Sequence, residues 1–216
     1  MILSKKLTVH MSGFIIISIG IVGIIMSRLG AAPIDAFNYF VYLLTPLSLG
    51  TIAILTGLFA ALLAFVIEKK KDIWISIVFL FLIGAMIDLW KFLFELLPSE
   101  LLESYYFRVP LAGFSLVVVS YGVSLTIISG LPSSPFERLL LALTKYTKNL
   151  TLTKIAIEGT FLVFAIILGI ISGHLFEQVH IYTVVLTFTI GPLVSYFIRL
   201  STHKKTKKGE MIYATQ

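Results

Sequence analysis

Two acids open the question of chemistry. Asp35 and Glu137 stand 102 positions apart, and each follows a proline by two residues, Pro33 and Pro135. An acid at the third position of a helix meets the positive end of the helix dipole, an ordinary capping role. The same acid inside a membrane is costly and marks a polar path. Placed there it disfavours an anion and suits a cation, a proton or a neutral polar solute. Further along, Asp88, Lys91 and Glu95 follow one another at spacings of three and four, on one helix face. Lys91 and Glu95 read as border residues that snorkel, whereas Asp88 needs a partner. Glu158 has Lys154 four residues before it, the spacing of a helical ion pair. Arg28 ends an apolar run, and the expectation is that it pairs with Asp35 or Asp88. The candidate binding residues are therefore Arg28, Asp35, Asp88, Glu137 and Glu158.

Other chemistries find less support. His174, Glu177 and His180 cluster, but their spacing of three and three does not match the four-residue histidine spacing of metalloprotease helices. No metal is expected there. The chain has no cysteine, which excludes thiolate sites and disulfides. No Ser–His–Asp set, phosphate-binding glycine loop or nucleotide motif is present. The expectation is a protein that is not an enzyme and needs no cofactor.

The elements that must position these residues are membrane spans. Of 216 residues, 58% are hydrophobic and 13% charged, against about 25% charged in soluble domains. Mean hydropathy is +1.01. Six apolar runs are each long enough to cross a bilayer as a helix: Leu7–Arg28, Gly50–Ile67, Ile73–Leu97, Val109–Ser129, Thr153–Ser172 and Val179–Arg199. Lys5 and Lys6 before the first run, with Gly30-Ala31-Ala32 after it, have the outline of a signal peptide. Arg28 beside that site and the five later spans favour a retained helix.

Of 17 basic residues, all but Arg28, Lys91 and Arg108 fall on one side if the N-terminus is cytoplasmic. This bias predicts that both termini are cytoplasmic, and it explains the net charge of +6 without nucleic acid. Residues 200–216 then form a basic cytoplasmic tail.

The spacing of 102 that relates Pro33 to Pro135 and Asp35 to Glu137 also relates Gly57 to Gly159. A register of 107 pairs Gly84 with Gly191 and Asp88 with Ser195. The sequence therefore reads as a duplication within one polytopic membrane domain of residues 1–199. Repeat one covers about 7–97 and repeat two about 109–199. Three spans per unit is an odd number, so the second copy inserts upside down, a plan common among secondary transporters. The expected fold is all-α, with six transmembrane helices in two inverted three-helix repeats. After its first span each repeat carries a short stretch, Asp35–Pro46 or Phe136–Thr147, that is too short to cross. Each reads as an interfacial or re-entrant helix. Ser134, Pro135 and Glu137 form a capping box for the second; the first has Ala32 in the cap position.

Motifs spread over most of the chain resemble those of the YczE-like bacterial integral membrane proteins, relatives of the YitT group. The residues are Leu29-Gly30-x-x-Pro33-Ile34-Asp35, Ser48-Leu49-Gly50-Thr51 with Gly57, and Gly84-x-x-Ile87-Asp88. In the second half they are Gly130-Leu131, Pro135, Ile157-Glu158 and Ile190-Gly191-Pro192-Leu193-Val194. The family pattern has an Arg-Asp pair after the second proline, where this chain has Phe136-Glu137 followed by Arg138. The resemblance implies a location in the cell membrane and supplies no substrate.

Two functions fit. The first is a small secondary transporter or channel-like carrier of a small solute or cation, resting on the inverted repeat, the paired short helices and the intramembrane acids. In that reading Asp35 and Asp88 line an outer gate, and Glu137 and Glu158 an inner one. The second is a non-transporting scaffold or accessory protein for a partner enzyme or regulator. The lipid bilayer is the expected surrounding in both, and a second copy or a partner membrane protein the expected neighbour.

Overall fold

A computed structural model of the chain describes residues 3–69, 73–131 and 134–213. The basic residues Lys70 and Lys71, and Pro132 and Ser133 of the second proline motif, lie outside the described residues.

All regular structure among the described residues is helical. Long helices α1 (Leu3–Ser27), α3 (Leu49–Glu68), α4 (Ile73–Glu95), α6 (Tyr105–Ser129), α8 (Leu150–Ser172) and α10 (Ile181–Tyr213) alternate with short ones. The short ones are α2 (Pro33–Leu44), α5 (Ser99–Glu103), α7 (Pro135–Thr147) and α9 (Leu175–Gln178). Among the described residues six stretches are long and apolar enough to cross a membrane, and they coincide with the runs read from sequence. Their outward faces carry large apolar side chains, Phe59, Phe81 and Phe188 among them, as suits a multi-pass membrane protein whose surroundings are lipid. The sixth helix continues past Arg199 through the basic tail to Tyr213.

Helix α2 has 12 residues and α7 has 13, so each rises only about 20 Å. The Ser134 hydroxyl caps α7 by accepting from the Glu137 N–H at 3.3 Å. Ala32 gives α2 no such cap.

Helices α1 and α6 form the centre of the bundle and run antiparallel. A Cβ at Gly13 would meet Thr126 and the Gly122 carbonyl, whereas one at Gly23 would strike Ser115. Small residues at these crossings bring the two backbones together, the usual means of packing helices in lipid. Around this pair, α4 lies on α1 and α10 on α6. The short helices cross over: α2 packs on α8, and α7 packs on α3.

The two outer seams differ. Helix α3 closes on α4, with Gly57 against Leu80 and Gly84 against Gly50 and Ile54. Gly159 on α8 and Gly191 on α10 correspond in sequence to Gly57 and Gly84, and a Cβ on either would meet open space.

Candidate functional site

The amino-terminal ends of α2 and α7 meet in one cavity of about 250 Å³. Ala32, Pro33, Ile34 and Asp35 come from one side, and Ser134, Pro135 and Phe136 from the other. Helices α1 and α4 supply apolar walls, including Phe14, Ile17 and Leu80, and α8 adds Glu158. The two proline motifs, 102 residues apart in sequence, therefore line one space.

Asp35 is one of the two carboxylic acids that line it. Protein surrounds its carboxylate, and the surface it retains faces the cavity. Among the described residues no hydrogen bond or ion pair reaches that carboxylate. Burial pushes its pKa up to about 7, because removing water penalises the charged form. One turn along α2, Asn38 is buried and its side-chain oxygen accepts from the Thr56 hydroxyl at 2.8 Å. This bond holds α2 to α3 and fixes the acid above it.

Glu158 occupies the threshold to a second cavity, of about 240 Å³, lined also by Glu137, Leu140, Lys154 and Ile157. The two cavities share Ile34, Ser134, Phe136 and Glu158. Lys154 sits 3.6 Å from Glu158, with its side chain half exposed, so this second space reaches toward the surface. Glu137 is largely buried, and burial raises its pKa. Asp35 and Glu158 thus line the first space, and Glu158 and Glu137 the second. Arg138 is buried and turns away, its Nε donating to Ser76 Oγ at 3.0 Å.

Asp88 lies elsewhere. Both carboxylate oxygens engage the start of α3, one accepting from Ser48 Oγ at 2.6 Å and the other from the Gly50 N–H at 2.7 Å. Its partner is a helix terminus rather than Lys91, which pairs with Glu95 and lies 4.6 Å from the Tyr42 ring centre.

Arg28 does not pair with Asp35 or Asp88, which corrects the expected outer cluster. It caps α1 in the left-handed conformation, φ 52°. That turn places it in a separate pocket with Arg108, His174, Glu177 and His180, out of reach of the buried acid. The turn is held from the second half of the chain. Arg108 donates to the carbonyls of Ser27 and Arg28, Gln178 Nε2 donates to the Ile25 carbonyl at 2.9 Å, and the Gln178 carbonyl accepts from Ala31 N–H at 2.9 Å. His174 Nδ1 lies 3.0 Å from Glu177. Among the described residues no three metal-ligating side chains converge.

Sequence reading missed Asn38, Gln178 and the capping role of Arg108. Arg108 did carry a signal, as one of three basic residues against the charge bias. Asn38 carried a weaker one, a polar amide in an apolar helix. Gln178 carried none.

A larger and almost wholly apolar cavity of about 540 Å³ adjoins this region, between α2, α3, α7 and α8. Rings of Phe37 and Phe136 both pack edge-on against Phe161, one of the residues that line it.

The chain belongs to DUF6198, a family of unknown function, whose match covers residues 4–199. No curated protein and no solved structure matches it.

Proposed function

We propose that this protein is a small secondary carrier of a cationic or neutral polar solute, built from two inverted repeats. The observation that carries the proposal is the shared cavity. Two short proline-led helices, one from each half, end in it beside Asp35, a buried acid that no described residue pairs with. Polar groups at such depth are tolerated where they face protein or an aqueous space. A protein that only packs against a partner has no use for them.

The packing supports an inverted repeat. Like pairs with like across the halves: α1 with α6 at the centre, α4 on α1 as α10 on α6, and α2 on α8 as α7 on α3. The basic residues on the loops orient the bundle with Lys145 and Lys154 inward and both termini cytoplasmic. The resemblance to YczE-like and YitT-related proteins supports a location in the cell membrane.

The asymmetry between the repeats gives the carrier a state. The α3–α4 seam is shut on the outer side, where Asp88 secures Ser48 and Gly50. The corresponding glycines of α8 and α10 face open space. In this reading the conformation is closed outward and open inward, and exchanging the two seams produces the opposite state.

The test is flux. Purified chain in liposomes loaded with a pH-sensitive dye should exchange protons for organic cations added outside. Asp35→Asn and Glu158→Gln should abolish the signal while the proteins still elute as folded species. Silence across a broad panel of cations and neutral solutes, with the folded protein verified in the membrane, would favour the accessory-protein reading.

A further inference from the structure

The cavity at Asp35 says which kind of cation fits, and this inference rests on the carrier reading of that cavity. We infer that the ligand is a small organic cation with an apolar body, a substituted ammonium, held by Asp35 as its counter-charge.

Charge excludes an anion first. The ionisable side chains lining the cavity are Asp35 and Glu158, both carboxylates. Lys154 stands at the threshold and is already paired with Glu158. Arg138 is turned onto Ser76. A ligand that brings a positive charge to Asp35 relieves a buried carboxylate that has no partner among the described residues; a negative ligand adds to it.

The poverty of oxygen then argues against a bare metal cation. Hard cations need about six oxygen ligands. Besides the two acids, the polar side chains here are already engaged. The Asn38 oxygen accepts from Thr56, Ser76 accepts from Arg138, and Ser134 caps α7. An ion stripped of water would find too little to replace its hydration.

The apolar walls favour a cation whose charge is spread over carbon. Such an ion loses little hydration on entering. Phe14 and Phe136 present rings to the space, and aromatic faces attract alkylammonium groups through the ring quadrupole. Glu158 at the mouth would receive the same cation on its way in or out, in competition with Lys154.

The experiment is equilibrium binding to the full chain in phosphatidylcholine nanodiscs, read by calorimetry with benzyltrimethylammonium, benzenesulfonate and sodium chloride as probes. Benzyltrimethylammonium is expected to saturate one site, and the other two to give no saturable heat. Asp35→Asn should weaken its binding at least tenfold. Phe136→Leu keeps the charge and should weaken it by a few-fold, which covers the case in which Asp35→Asn fails to fold. Equal binding of the anion, saturation by sodium alone, or undiminished binding by a folded Asp35→Asn protein would each overturn the inference. Spin labels on the α3–α4 and α8–α10 seams separate it from the carrier reading. Exchange between two conformations without benzyltrimethylammonium binding would remove the cation alone. Binding without exchange would remove the carrier and leave a binding protein.

Discussion

The Asp88 carboxylate accepts the backbone N–H of Gly50 at 2.7 Å, so a residue near the end of one span caps the start of its neighbour. With Ser48 on the other oxygen, the pair closes α3 on α4 where the Gly84 carbonyl leaves no room for a side chain at position 50. Charge-assisted bonds of this kind contribute about 1.5–3 kcal/mol. They also neutralise the positive end of α3.

Asp88→Ala is therefore expected to destabilise the protein by about 2 kcal/mol, measured as thermal unfolding in detergent. It should also shift the conformations toward opening at the α3–α4 seam. An Asp88→Ala protein as stable as the parent, with unchanged seam distances, would show that the carboxylate secures nothing.

The central α1–α6 crossing should tolerate no added bulk. A Cβ at Gly20 would lie 2.9 Å from the Val119 nitrogen and 3.0 Å from the Ser115 carbonyl, backbone atoms that cannot step aside. Gly20→Val should cost about 1–3 kcal/mol. Gly191→Leu meets open space and should leave unfolding unchanged. It should nevertheless stop flux, because it blocks closure of α8 on α10. Normal flux in Gly191→Leu would mean that this seam never closes.

The pH dependence follows from Asp35. Its carboxyl lies at about 7 in the folded protein, against about 3.9 unfolded. The native state thus holds a proton that the unfolded chain releases, and stability falls as pH rises from roughly 4 to 7. Asp35→Asn removes that penalty, so its Tm should exceed the parent's at pH 8 and match it at pH 4. Cation binding runs the opposite way. It requires the ionised acid and should tighten as pH rises toward 7, levelling above it. The neighbouring charges are Glu158 with Lys154 on α8, and Glu137 and Arg138 on α7. A binding isotherm flat from pH 5 to 8 would remove Asp35 as the counter-charge.

Topology has a direct check. A cysteine replacing Lys148 should react only with membrane-permeant reagents, and one replacing Ser99 should label from outside intact cells. External labelling at position 148 would reverse the assignment of the two faces.

Much of this arrangement was legible in sequence because it is local. Apolar runs of membrane-crossing length gave the spans. Pro135 with Ser134 gave the start of α7, and the four-residue spacing gave the Lys154–Glu158 pair. The meeting of Pro33 and Pro135 was legible only as a repeat, whose spacing says that two segments are alike and not that they touch. Arg28 and Asp88 were misplaced for a related reason. Their nearness to charges of opposite sign suggested ion pairs, but each is governed by a helix end. Asp88 meets the start of α3, and Arg28 turns in a loop that Arg108 and Gln178 hold from more than seventy residues away.

The claim that the two halves exchange access to one cavity is tested most directly by distances in the membrane. Spin labels at Thr51 and Leu89 would report the α3–α4 seam, and labels at Ala156 and Ser195 the α8–α10 seam, by electron–electron resonance in nanodiscs. The account predicts two populations in each pair, with the inner pair shortening as the outer pair lengthens when pH or benzyltrimethylammonium is varied. A single distance for each pair, unmoved by either, would contradict it.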